Sequence, residues 1–347
     1  VGKLAARLPF SLWRAARLTL SEPTLSAAAH PVIVAVGAVL AAVGILPALQ
    51  SGPCLLETRY TCVRLLDKPL PQANLLRFMI LDEGVHSASD RDHPERLHLG
   101  YAALTDRLAQ SVFAGVAQPQ ALVIGGGGAT LPRAWANAAP PVTTAVIELD
   151  GEVALIARDQ MWAGRSAALS TLVGDGRAVL RSMPRRQTYD VVLMDAYRTR
   201  SVPPHLVTAE FAREVAVRLM PNAVYLSNII DRADPPLLAL SIAATLKTAF
   251  PAVDLWLADE PRSGTTNVVV AAWTRPEQAL RPATITVAAT VMADGHAPRT
   301  ENIVWRRLDL ATAGRRWPQA CAVILTDDRA PIDRLLAGRP VCRPASS

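Results

Sequence analysis

The stretch that most constrains this chain is residues 121–150, ALVIGGGGATLPRAWANAAPPVTTAVIELD. It opens on an uncharged apolar run of strand length, residues 121–124, followed by four glycines, Gly125, Gly126, Gly127 and Gly128. A helix-compatible segment with Pro132 near its start comes next. A second apolar run, residues 144–147, then ends in Glu148 and Asp150. Strand, glycine turn, helix, strand and terminal acid make the first half of a nucleotide-binding α/β unit. Glycine lets a ligand approach the backbone and takes positive φ without strain. The acid after the second strand is placed to accept hydrogen bonds from ribose hydroxyls.

The pattern continues downstream. Residues 151–162 read as a helix, and 171–173 as a short strand ending in Gly174, Asp175, Gly176 and Arg177. Residues 189–195, YDVVLMD, read as a buried strand running into an acid. A helix over 208–219 has Thr208 as its N-cap. Residues 223–228, 253–257 and 267–273 read as strands, and 237–250 as a helix. Such alternation implies a mostly parallel sheet covered on both faces, with ligands outside the carboxyl ends of its strands. The glycines, Glu148, Asp175 and Asp195 all fall at those ends, and this convergence marks a binding site. Asp150 reads as a helix N-cap, Asp190 as structural, and Asp175 as either turn chemistry or ligand contact. Asp195 closes a buried run, and a functional acid is the better account of it.

Ahead of this core, residues 57–66 and 75–81 are rich in strand formers and predict two or three antiparallel strands. Residues 81–101 read as a polar loop carrying Asp82, His86, Asp90, Asp92, His93 and His98. Their spacing matches no standard metal-ligand pattern, so no metal is expected. Beyond the core, 285–289 can add a strand, 294–302 reads as loop, and 305–310 is ambiguous. Paired acids in 325–331, LTDDRAP, either close over the site or form an N-cap and turn before a last helix at 332–337.

Residues 31–49, PVIVAVGAVLAAVGILPAL, carry no charge, and about twenty apolar residues span a bilayer. A transmembrane helix is the expectation, and a buried core helix the alternative. Lys3, Arg7, Arg14 and Arg17 interleave with leucines before it, as in a basic amphipathic helix at a membrane interface. Flanking arginines on both sides leave orientation undecided. The chain opens on Val rather than Met, so a fragment of a longer membrane protein and a non-standard start are both open. The formal net charge of +6 is spread without a dense basic block, and nucleic acid is not an expected partner. Cys54, Cys62, Cys321 and Cys342 lack close zinc-type spacing; disulfides and isolated thiols are both compatible with them. The layout is thus a membrane segment (1–51), a small β-region with a connecting helix (52–118), a nucleoside-binding domain (119–338) and a tail (339–347).

The ordered pieces VIGGGGATLPR, VIELD, VGDGR and YDVVLMDAY resemble the spermidine synthase family of polyamine aminopropyltransferases. The likeness is greatest to its membrane-attached spermidine synthase-like members, which also share ETRY-like, LDxxxHS, VPPHLVTAEF-like and LTDDxAP stretches. It covers about residues 53–335. The resemblance implies a methyltransferase-like, Rossmann-like domain with a seven-stranded sheet behind a small β-region. It also implies transfer of an aminopropyl group from decarboxylated S-adenosylmethionine, a co-substrate rather than a tightly bound cofactor, to putrescine or another amine in polyamine biosynthesis. No metal is required. By motif, Gly125, Gly126, Gly127 and Gly176 line the nucleoside, Glu148 holds the ribose and Asp175 the adenine amine. Asp195 orients and deprotonates the attacking amine, with His86, Tyr197 and Arg198 on the acceptor side. Donor supply favours a cytoplasmic soluble part on a cell membrane; a homodimer is left open.

Departures from the family concern the hold on the cationic donor, at Gly128, and the acceptor. Gly128 stands where the family carries an Asp, Arg198 where it carries a second acid, and His86 where it carries a Gln; the Tyr-His-Glu triplet is missing. Two other classes therefore stand beside the transferase: a non-catalytic adenosyl-nucleoside-binding membrane protein, and an S-adenosylmethionine-dependent methyltransferase. The GDGR turn and the acid closing YDVVLMD speak against a nicotinamide dehydrogenase.

Overall fold

The computed structural model describes residues 53–198, 201–259, 264–276, 282–291 and 299–341. The candidate membrane span at 31–49 and the amphipathic segment before it lie outside the described residues. Among those described, no helix is long and apolar enough to cross a membrane.

The described residues begin with an antiparallel sheet of four strands in sequential order: β1 (Leu56–Glu57), β2 (Cys62–Pro69), β3 (Leu75–Leu81) and β4 (Gly84–Asp90). β4 lies where a polar loop was expected. Its sequence, GVHSASD, has no apolar alternation, yet Ser87, Ala88, Ser89 and Asp90 are buried. They are covered by the main domain, a contact that no local pattern announces. A disulfide joins Cys54 to Cys62, and Cys321 is also disulfide-bonded, so the isolated-thiol reading does not hold for these cysteines.

Helix α1 (Gly100–Phe113) leads into the main sheet. Next come β5 (Gln120–Ile124), α2 (Thr130–Ala136), β6 (Thr143–Glu148), α3 (Gly151–Asp159), β7 (Leu169–Val173), α4 (Gly176–Ser182) and β8 (Tyr189–Met194). Then follow α5 (Ala209–Ala216), β9 (Leu219–Arg232), α6 (Leu237–Leu246), β10 (Ala252–Ala258), β11 (Thr265–Trp273), β12 (Thr284–Val291), β13 (Arg299–Asp309), α7 (Leu310–Arg316) and α8 (Ile332–Leu336).

The sheet has nine strands in the order β12-β13-β10-β11-β9-β8-β5-β6-β7, not seven. β7, β6, β5, β8 and β9 pair in parallel, whereas β11, β10, β13 and β12 are added antiparallel. The mostly parallel expectation is corrected to a mixed sheet for a simple reason. Only six residues (259–264) join β10 to β11 and seven (292–298) join β12 to β13, and a parallel return needs a crossover of a dozen or more residues. The parallel strands are apolar in continuous runs because both faces are covered. Leu122, Ile124, Val192 and Met194 pack on α5 and α6, while Ala121, Val123, Val191 and Leu193 face Trp135, Trp256 and α1.

The C-terminal acids neither cap a helix nor enter the site. Asp327 accepts two hydrogen bonds from the buried Arg177 guanidinium (2.7 and 2.9 Å) and one from Thr208 Oγ1 (2.7 Å). Arg177 also reaches Glu214 on α5. The GDGR arginine is thus a bracket joining α4, α5 and the C-terminal turn. Removing Asp327 leaves a largely buried guanidinium with one carboxylate partner. Asp327→Ala should lower unfolding free energy by about 1–3 kcal/mol, discounted because Asp327 itself is partly exposed. A urea midpoint unchanged from wild type would show the bracket to be inert.

Candidate active site

A cleft of about 2330 Å³ lies over the carboxyl ends of the parallel strands, with the β3–β4 turn along its edge. It brings together every residue singled out from the sequence: His86, Gly125, Gly126, Gly127, Glu148, Asp175, Gly176, Asp195, Tyr197 and Arg198.

The glycine turn is shaped by what crowds it. Gly125 has φ +95°, and a Cβ there would lie 2.4 Å from the Asp195 carbonyl oxygen. Only glycine fits between two strand ends so close together. At Gly128, a Cβ would lie 2.7 Å from Cβ of Ser87, whose hydroxyl accepts the Gly128 N–H at 2.8 Å. β4 has therefore filled the place where a longer side chain at residue 128 would project.

Glu148 grips the turn from the end of β6. Its Oε2 accepts from Gly126 N (2.8 Å) and Gly127 N (3.0 Å), and its Oε1 from Asp150 N (3.0 Å). Oε1 keeps a free lone pair for a ligand hydroxyl. Asp150 caps α3 through the N–H groups of Glu152 and Val153 and accepts from Thr58 Oγ1 at 2.5 Å. Asp175 caps α4 through Ala178 N (2.9 Å) and also meets His205 Nε2 at 2.8 Å. Burial works to raise its pKa, but the Ala178 N–H and the His205 ring outweigh it and hold the carboxyl below its usual range.

Asp195 is the unusual acid. It follows β8, half-buried, with Oδ1 accepting from Asn228 Nδ2 (2.8 Å) and Oδ2 from the Tyr101 hydroxyl (3.2 Å). Burial pushes its pKa from 3.8 up to about 7, against the opposing pull of those two donors. The lowering by the Arg198 guanidinium that its sequence position suggests is not found. Arg198 is exposed, and water screens its charge from the carboxyl. The Tyr197 hydroxyl is committed to β9, donating to Asn228 O and accepting from Ile230 N, both at 2.8 Å, so only its ring edges the cleft. The Tyr197 and His86 rings meet edge to face at 6.4 Å. Burial lowers the His86 pKa against an opposing push from Asp82, which favours a neutral imidazole.

Among the described residues, no group of three His, Cys, Asp or Glu side chains is placed to hold a metal ion. Of the polar cluster noted in 81–101, Asp90 instead binds Asn74 Nδ2 and the N–H groups of Asp92 and His93. Sequence reasoning missed Tyr101, Asn228 and Asn267. Asn228 had a signal: it closes the strand expected at 223–228, although β9 runs on to Arg232, and the pairing of Met194 with Ser227 sets it beside Asp195. Tyr101 had none, being delivered by α1 from a distant part of the chain.

No protein-family model matches the chain. A polyamine aminopropyltransferase from Vibrio vulnificus (strain CMCP6) is 32% identical over 108 residues, 31% of this chain and 36% of that protein. A protein described as a probable polyamine aminopropyl transferase, from Bifidobacterium longum (strain NCC 2705), is 26% identical over 222 residues, 62% of this chain and 48% of that one. This chain thus spans about a third and about half the length of these curated relatives. The solved structure of a probable spermidine synthase from Corynebacterium glutamicum ATCC 13032 shares the fold, with TM-score 0.60 at 18% identity over 78% of this chain and 96% of that one. These matches support the spermidine synthase family as the relatives of this chain.

The raised pKa of Asp195 has a sign that can be checked. The folded state keeps a proton that the unfolded chain loses near pH 3.8, so this residue costs stability increasingly from about pH 4 to 7 and uniformly above. Asp195→Asn keeps the shape without that cost. Its stability advantage over wild type should grow by about 2–3 kcal/mol between pH 5 and pH 8 in urea unfolding. An advantage equal at both pH values would mean that Asp195 titrates normally.

Proposed function

We propose that this chain is a spermidine synthase-like aminopropyltransferase, moving an aminopropyl group from decarboxylated S-adenosylmethionine to an amine. The observation that carries this reading is the single cleft that sets Asp195, a half-buried carboxyl pushed up to a pKa of about 7, together with Glu148, the glycine turn and Asp175. In this reading Glu148 takes the ribose hydroxyls on its free lone pair, and Asp175 meets the adenine amine beside His205. An ammonium is no nucleophile until it loses a proton. A carboxylate poised near neutrality can bind it and then take that proton. The amine nitrogen forms its bond to the donor carbon as the carbon–sulfur bond breaks; the electron pair leaves on sulfur as a neutral thioether, and the proton passes to Asp195. The sulfonium is already a good leaving group, so alignment supplies most of the remaining advantage.

The acceptor differs from the family's usual diamine. Arg198 stands where a second acid of the family would attract a dication, while Ser87 takes the space beside Gly128 where the family's acid would help hold the cationic donor. Putrescine is therefore a poor acceptor in this reading.

Isothermal calorimetry of the purified chain with decarboxylated and ordinary S-adenosylmethionine tests the donor. Glu148→Ala should weaken binding of the preferred donor by about 1.5–3 kcal/mol. Preference for the ordinary sulfonium, with methyl transfer, would replace this reading by a methyltransferase. Across a panel of amines, Asp195→Asn should cut turnover by about 10²–10⁴ while donor affinity hardly changes. Unchanged turnover would remove Asp195 from the chemistry.

Membrane attachment through residues 31–49 belongs to the same proposal, on the strength of that uncharged run. Alkaline carbonate should leave the protein in the pellet, and release of the intact chain would count for a core helix. Cytoplasmic placement suits donor supply, whereas the Cys54–Cys62 disulfide suits an oxidising compartment; thiol alkylation before and after reduction separates the two.

A further inference from the structure

Asp195 does not meet Asn228 alone. Asn228 is buried, and its Oδ1 accepts from Asn267 Nδ2 at 2.9 Å, while its Nδ2 donates to Asp195 Oδ1 at 2.8 Å. Strand register makes this row. β8 and β9 run parallel with Met194 opposite Ser227, which brings Asp195 beside Asn228. β9 and β11 run antiparallel with Asn228 opposite Val269, so Asn267, two residues along, is its diagonal neighbour on the same face. Tyr197 also pins the backbone just after Asn228, through Asn228 O and Ile230 N.

The direction of the row follows from chemistry. An ionised carboxylate only accepts, so Asn228 must turn its NH₂ toward Asp195. Its carbonyl then faces β11 and needs a donor, since a buried carbonyl left unpaired is costly. Asn267 supplies that donor and so holds Asn228 in the one orientation that favours the ionised acid. A carboxamide passes no proton along, so this is an orienting device and not a proton path.

We propose that Asn267, acting through Asn228, is a positioning residue that holds the Asn228 NH₂ on Oδ1 of Asp195 and so fixes the donor that faces this carboxyl in the cleft. Its meaning for catalysis rests on the aminopropyl-transfer reading; the hydrogen-bond relay itself does not. The other titratable groups around the carboxyl are Tyr101 from α1, Tyr197 beyond the end of β8, His86 from β4 and, acting on Tyr197, Asp231 from β9. Burial holds the two phenols in their neutral form. The donors that favour ionised Asp195 are Asn228 and Tyr101.

The test is a ligand-free titration, so that it stands apart from any assay of transfer. The carboxyl band of Asp195 is isolated from infrared difference spectra of the whole protein against Asp195→Asn, and followed with pH. Asn228→Leu removes the direct donor and should raise the midpoint by about 1–2 pH units. Asn267→Leu should raise it by a smaller amount, and Asn267→Thr, which suits a strand and keeps a polar side chain, should do the same if the leucine variant fails to fold. Because Asn267 acts only through Asn228, adding Asn267→Thr to Asn228→Leu should change nothing further. A midpoint unmoved or lowered by both Asn267 variants overturns the relay, as does an additive shift in the double variant. A relay that passes while no amine is turned over leaves it standing and sinks the transferase reading instead.

Discussion

Three parallel strands in fixed register carry this site. β6, β5 and β8 pair so that Ile147, Ile124 and Met194 lie in a row, and the next residue of each strand is Glu148, Gly125 or Asp195. The backbone of Gly125 is hydrogen-bonded to Ile147 O, and that of Asp195 to Ile124 O. A one-residue slip in either pairing would turn an acid into the core and a core side chain into the cleft. The absence of a side chain at residue 125 lets the two strand ends approach, and Glu148 then secures the turn by binding its N–H groups.

Around that row, the small sheet and the antiparallel extension do opposite things. β4 presses Ser87 onto the glycine turn and takes up room there. β11 delivers Asn267 to Asn228 and so adds a polar prop behind Asp195. The side of the cleft at Glu148 and Asp175 keeps the chemistry of strand ends and helix caps, while the surroundings of Ser87 and Asn267 are built by these additions. Asp195 sits where the two meet, buried enough to hold a proton near neutrality and hydrogen-bonded enough to give it up.

Arg177 shows how a motif can be real and yet do structural work. GDGR supplies Asp175 to the cleft and Arg177 to the interior, where it binds Glu214 and Asp327. Asp327, the first acid of the C-terminal pair, is explained by that arginine and not by a ligand. The segment beyond them, at Pro331 and Ile332, reaches the cleft edge because the bracket holds it there.

The sequence by itself determined the parallel half of the fold and the end of the cleft formed by the glycine turn, Glu148 and Asp175. Buried runs ending in glycine or acid, alternating with helices, admit few other arrangements, and the acids at their tips need no distant partner to be recognised. Asp150 and Thr208 were equally legible as caps, since capping is local. Only the tertiary structure decided the rest. β4 and β13 carry mixed, polar sequences whose strand character comes from the neighbour they pair with. The contacts that tune Asp195 come from residues 94 and 33 positions away, and the prop on Asn228 from 39 positions away. Chain separations of that size leave no trace in local periodicity. Burial acts in the same way: a carboxyl's pKa depends on what covers it, and the cover here is assembled from elements far apart along the chain.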